Sequence, residues 1–145
     1  MLRWLTVLFG WWRRGDAGAR GEALAAEFLQ RERGFAIVAR NWRNPRDRRD
    51  ELDLICRDGD VLVFVEVKTR SAGALVPGYY AVDRRKKRVL LRACSAYLQQ
   101  LRSPPCTYRL DVVEVALPRA GAAGAPVVSH FAKIPLFPKH HCPGH

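Results

Sequence analysis

Apolar positions along this chain fall into two rhythms, one of helices and one of buried strands. Their order predicts helix, three strands, helix, two strands. Ala25, Ala26, Phe28 and Leu29 form the apolar side of a first helix, capped by Asp16 and ended after Arg33 by Gly34. Phe35 to Ala39 reads as a strand, and the charged stretch Asn44 to Asp50, which contains Pro45, reads as a loop. Two strands follow, Glu51–Arg57 and Asp60–Lys68, joined by Asp58-Gly59, a dipeptide that readily adopts the positive φ angles of a tight hairpin. Ser71 to Tyr80 carries two glycines and a proline and reads as a loop. Asp83 caps a second helix reaching Leu101, with Leu90, Cys94, Tyr97, Leu98 and Leu101 as its apolar stripe. Pro104-Pro105 breaks the chain; Tyr108 to Leu117 is a strand, Pro118 to Pro126 a small-residue linker, and Val127 to Ile134 a weaker strand.

The hairpin concentrates charge. With Asp58 and Gly59 as its turn residues, Arg57 pairs with Asp60, Leu54 with Val63, and Glu51 with Glu66. One face then carries Leu52, Leu54, Cys56, Val61, Val63, Val65 and Val67, an apolar surface that another layer must cover. The other carries Ile55, Leu62 and Phe64 near the turn, and Glu51, Asp53, Glu66 and Lys68 at its open end. Asp53 lies diagonal to Glu66, at ~7–8 Å between backbones. Close carboxylates repel, and a hard divalent ion with oxygen ligands compensates them. Such an ion, with Lys68 holding water or stabilising developing charge, points to phosphodiester hydrolysis. A solvated strand end, with Glu66 and Lys68 neutralising one another, is the alternative.

The 145 residues suit a single domain, and 48% hydrophobic with 27% charged residues excludes wholesale disorder and a coiled-coil rod. The 25 basic and 14 acidic residues leave a net charge of +11, which favours a polyanionic partner. The basic residues are 20 Arg and 5 Lys. Cys56, Cys94, Cys106 and Cys142 form no C-x-x-C pair, as expected of reduced thiols in a cytoplasmic protein. No Gly-rich phosphate loop with an adjacent Lys-Ser/Thr is present, which disfavours a nucleotide triphosphatase. The apolar stretch Leu2 to Trp12 ends at Arg13-Arg14, far short of the ~20 residues of a membrane-spanning helix, and its charge pattern is not that of a signal peptide. It reads as a flap on the core, or as a surface helix using Trp4, Trp11 and Trp12. The organisation is therefore an N-terminal segment (1–14), a domain (15–134) and a tail (135–145). In that tail His140, His141, Cys142 and His145 carry adventitious metal affinity.

Asp53 followed by Glu66-Val67-Lys68 resembles the PD-(D/E)xK signature of restriction-endonuclease-like nucleases. Gly21-Glu22, Arg40-Asn41, Glu51-Leu52-Asp53-Leu54-Ile55, Phe64 to Arg70, Lys87 and Arg109-Leu110-Asp111-Val112-Val113 together are similar to the YraN-like family over about residues 20 to 116. That resemblance implies an α/β fold with a mixed central sheet flanked by helices in the order αβββαββ, and likeness to Holliday-junction resolvases. It implies Asp53, Glu66 and the Val67 carbonyl as ligands of Mg²⁺ or Mn²⁺, Lys68 as catalytic lysine and Glu22 as a further acid. A homodimer is also implied. Helical spacing puts Glu22 at the edge of a buried face; the other reading is a first-turn glutamate complementing the helix dipole. Where the family commonly has Gly before Glu51, this chain has Asp50.

Arg40, Arg43, Arg46, Arg48 and Arg49 precede the acidic strand end, Arg70 follows it, and Arg84, Arg85, Lys86, Lys87 and Arg88 form an unbroken basic run. These suit backbone phosphates, and Trp42, Tyr79 and Tyr80 either stack on bases or pack in the core. The function expected is a metal-dependent endonuclease acting on nucleic acid, DNA above all, in recombination or repair. The alternatives are a nucleic-acid-binding module without turnover and a membrane-surface adaptor.

Overall fold

A computed structural model describes residues 3–72 and 84–137, with side chains from Asp16 onward. The elements are α1 (Arg3–Arg33), β1 (Ala36–Arg43), β2 (Glu51–Asp58), β3 (Val61–Ser71), α2 (Arg84–Gln100), β4 (Tyr108–Leu117) and β5 (Val127–Ile134). The strands make one sheet in sequence order. Every neighbouring pair is antiparallel except β3 and β4, which run parallel because α2 carries the chain back between them.

The period-two alternation of β3 splits the core into two layers. Val63 and Val65 pack with Leu54, Cys56, Val113 and Val115 beneath Ala25, Ala26 and Leu29 of α1. Leu62 and Phe64 pack with Ile55, Leu110 and Val112 against Leu90, Ala93, Cys94 and Tyr97 of α2. The apolar residues of β3 are thus buried on both faces, as a central strand requires. One helix on each face of a five-stranded mixed sheet, in the order αβββαββ, is the restriction-endonuclease-like architecture.

Three local expectations are corrected. Asp16 does not cap α1, which already runs from Arg3; an aspartate inside a helix costs only a fraction of a kcal/mol, ~0.7 at most, and the turns on either side carry the helix through it. The apolar N-terminal segment is helical from Arg3 and continuous with the rest of α1. In the hairpin, Asp58 pairs with Val61 and Leu54 with Val65, so the turn residues are Gly59 and Asp60. Gly59 takes φ 57 at the first turn position, the place a type II′ turn reserves for glycine, which draws Asp58 into the strand and moves the register by two. A two-residue shift preserves faces, but Leu52 changes sides: it packs in the α2 layer with Trp42, while Leu54 lies beneath α1. The change occurs between Arg40↔Leu54 and Trp42↔Leu52, where Asn41 adopts φ 50, a left-handed backbone that Asn tolerates.

Residues 73–83 and 138–145 lie outside the described structure, and with them Asp83, Tyr79, Tyr80 and the His140, His141, Cys142 and His145 cluster. No helix among the described residues is long and apolar enough to cross a membrane.

Candidate active site

The regular β2–β3 ladder stops at Leu54↔Val65, and the next residue of β2 is Asp53. Its carboxylate takes over the ladder's role: Oδ2 accepts the backbone N–H of Val67 at 2.8 Å. This is where the side-change at Asn41 matters, because Asp53 lies opposite it in the β1–β2 register and is turned toward β3. The corrected hairpin register puts Asp53 level with Glu66 rather than diagonal to it.

Glu66 follows Phe64 on the α2 side of β3 and is nearly sealed, with its side chain 4% exposed. Its Oε1 lies 3.0 Å from the ammonium of Lys68, two residues along the strand, and 3.0 Å from the ammonium of Lys86 in the first turn of α2. Glu22, Asp53 and Glu66 line one open cleft with Ala17, Gly18, Thr69 and Arg70. Glu22 is well inside the 31-residue α1, so the reading of it as a first-turn glutamate complementing the helix dipole falls away.

Gly21 sets the distance between α1 and this strand. It is buried, and a Cβ in its place would meet the Thr69 hydroxyl at 1.9 Å. Only a residue without a side chain lets the helix backbone approach Thr69 so closely, and that approach carries the adjacent Glu22 to the cleft.

The electrostatics are those of excess acid. Burial, together with Glu66 and Glu22, pushes the Asp53 carboxyl up to about 7, with the Val67 N–H and Lys86 opposing. Glu22 is also raised, by burial and by Glu51 and Glu66, with a hydrogen bond to Asn41 opposing. Lys86 is held protonated: burial disfavours its charge, but Glu66 outweighs that. Two carboxylates and a backbone carbonyl are hard oxygen donors suited to a hard divalent ion. As arranged, the positive charge on Glu66 comes from two ammoniums. Among the described residues no group of three or more His, Cys, Asp or Glu side chains is close enough to hold a metal ion.

Of the basic residues expected to meet phosphate, Arg40, Arg84 and Arg85 are exposed, Lys87 is half-buried, and Arg43, also exposed, lies 3.4 Å from Glu51. Arg70 lines the cleft, and Lys86 reaches into the site. In the basic run it is Lys86, not Lys87, that meets the acids, a choice that helix phase decides and a run of five cations conceals. Trp42 packs edge-on against Tyr97 and belongs to the core.

Sequence reasoning passed over Asn41 as a shaping residue, and the signal was only that Asn is among the few residues comfortable at positive φ. Asp50 stood out only as a departure before Glu51, and its partner on α2 left no signal. That residue is buried against Arg92 of α2, with Nε at 2.9 Å, and it accepts the Asn44 side-chain amide at 3.3 Å. Asp50 thus pins the β1–β2 loop to the helix.

A family model described as "Uncharacterised protein family UPF0102" matches residues 21–115. The chain is 46% identical over 112 residues to a UPF0102 protein of Beutenbergia cavernae, covering 77% of this chain and 92% of that one. It is 43% identical over 118 residues to one of Streptomyces coelicolor, covering 81% and 86%. It is 50% identical over 98 residues to one of Symbiobacterium thermophilum, covering 68% and 80%.

Proposed function

The chain belongs to the UPF0102 family, the YraN-like family, and from that premise we propose that it is a metal-dependent endonuclease hydrolysing nucleic-acid phosphodiester bonds, with branched DNA in recombination or repair as its substrate class. The observation that carries this reading is the convergence of Glu22, Asp53 and Glu66 on one cleft, with the Lys68 ammonium on Glu66. Asp53, Glu66 and the Val67 carbonyl would hold Mg²⁺ or Mn²⁺, whose charge offsets the burial and the carboxylate repulsion that raise Asp53. When bound, such an ion polarises a phosphoryl oxygen and lowers the pKa of water.

The protein's own groups do the rest. The Val67 N–H fixes the Asp53 carboxylate, so its orientation costs nothing at the moment of reaction. Lys68, held 3.0 Å from Glu66, orients the attacking water or offsets charge developing on the phosphoryl oxygens. Arg40, Arg43, Arg70, Arg84, Arg85 and Lys87 supply phosphate contacts around the cleft, and the net charge of +11 draws the polyanion in. A homodimer would set two such clefts on one junction.

One observation favours a second reading, a nucleic-acid-binding module without turnover: both lysines already neutralise Glu66. The deciding experiment is cleavage of end-labelled single-stranded, duplex and four-way-junction DNA with Mg²⁺, Mn²⁺ or EDTA, comparing wild type with folded Lys68→Ala purified identically. Cleavage that needs the metal and disappears in Lys68→Ala is the expected result. Salt-sensitive binding by both proteins without cleavage selects the binding module, and neither activity overturns both readings.

A further inference from the structure

Lys86 reaches Glu66 from outside the D…ExK pattern. It comes from the third residue of α2, in the opposite layer from α1, and reaches the same oxygen of Glu66 that Lys68 holds. Two ammoniums at 3.0 Å thus converge on one buried carboxylate oxygen, beside a cleft that Asp53 and Glu22 also line. The first turn of α2 is Arg84, Arg85, Lys86 and Lys87, with no acidic residue. Four cations at the positive end of a helix dipole oppose local preference and repel each other, so anions nearby are what make the arrangement tolerable. Glu66 is such an anion for Lys86.

The two lysines are not equivalent. Lys68 is fixed beside Glu66 by the strand that carries both, and its side chain is 25% exposed. Lys86 arrives from another layer on a flexible four-carbon stem and is 38% exposed, so it can leave Glu66 for solvent without moving β3. An ammonium and a divalent ion on one carboxylate oxygen repel strongly where water is scarce.

We propose that Lys86 is an internal counter-ion that stands in for the divalent cation at Glu66 and yields that oxygen when the cation enters, freeing its ammonium for a nucleic-acid phosphate. The proposal rests on the metal-dependent reading above. It makes Lys86 a positioning residue that couples metal loading to substrate capture.

The test is Mn²⁺ affinity of the full chain, read as free Mn²⁺ by electron paramagnetic resonance, for wild type, Lys86→Gln, Lys86→Arg and Lys87→Gln. Circular dichroism confirms that each is folded. Lys86→Gln should bind Mn²⁺ about 10-fold more tightly, an effect typical in size for a residue bonded to a metal ligand. Lys86→Arg, which keeps the charge, should return to wild-type affinity or below. Lys87→Gln removes the same charge one residue away and should leave Mn²⁺ affinity near wild type. At saturating Mn²⁺, Lys86→Gln should bind four-way-junction DNA more weakly than wild type. If Lys86→Gln and Lys87→Gln bind Mn²⁺ alike while wild type cleaves DNA, the counter-ion role fails and the nuclease reading stands. If no protein, wild type included, binds Mn²⁺ saturably, both fail.

Discussion

Asp111 and Asp53 lie in the same sheet, yet their surroundings pull their acidity in opposite directions. Asp111, on β4, is fully buried and saturated: Oδ1 accepts Arg109 Nε at 2.9 Å and the Lys133 N–H at 3.0 Å, and Oδ2 lies 2.8 Å from His130 Nε2. Burial alone would raise its carboxyl, but the bonds from His130, Arg109 and Lys133 hold it below the ordinary range. Asp53 has one backbone donor and two acidic neighbours and is pushed up to about 7. The first cluster is closed; Arg109 continues to Asp58 at 2.9 Å and lies over Phe35, tying the hairpin turn, β4 and the end of α1 together. The second opens on a cleft, and its two lysines both lie on Glu66 rather than on Asp53. Buried charge that satisfies itself is structure, whereas buried carboxylates pushed toward neutrality on an open cleft mark a candidate site.

If that distinction holds, Asp111→Ala is the largest blow to stability. It removes the buried partner shared by Arg109, His130 and the Lys133 N–H, at a cost of about 3–5 kcal/mol and roughly 10 °C or more in Tm. A variant melting within 2 °C of wild type, in round terms, would remove the structural role assigned here. Lys68→Ala should invert the pattern, with an unchanged fold and metal-dependent cleavage reduced by ~10²–10³-fold; equal rates from matched preparations would sink its catalytic role.

Gly21→Ala acts on the scaffold that carries Glu22. The overlap with Thr69 costs about 1–3 kcal/mol, partly offset by roughly 1 kcal/mol of helix preference for alanine. Combining it with Thr69→Ala should recover most of the loss in urea unfolding. Strict additivity of the two substitutions would show that the contact is not the cause.

The pH dependence of Tm, measured in EDTA, tests Asp53 itself. Asp53 has a folded pKa above its ordinary 3.8, so the folded state binds more protons there, and stability should fall as pH rises from about 4 to about 7. Asp53→Asn should flatten that fall. Asp111 is depressed, so its contribution is present above about 4 and lost as pH drops through its folded value. A curve for Asp53→Asn that parallels wild type between 4 and 7 would contradict the account of Asp53.

Much of this was legible from the residues. β4 and β5 run over the predicted Tyr108–Leu117 and Val127–Ile134, because β-branched runs bounded by Pro and Gly leave little choice. The gathering of Asp53, Glu66 and Lys68 at one strand end was also legible, since a two-residue error in the hairpin register leaves side-chain faces unchanged. The turn type was not, because Asp58-Gly59 and Gly59-Asp60 are both plausible turns and only the partners of β3 choose between them. Nor could the pattern reveal that Asp50 is buried against Arg92, 42 residues away, or that Asp111 anchors β5.

The sequence by itself determined the order of elements, their apolar faces, the strong positive charge and the D…ExK residues, because each depends on neighbours within a turn or a hairpin. Only the tertiary structure decided that Lys86 rather than Lys87 reaches Glu66, that Gly21 brings Glu22 to the cleft, and that Asp53 is raised while Asp111 is depressed. Those outcomes depend on burial and on partners from distant segments, and a charge's environment exists only once the layers have closed around it.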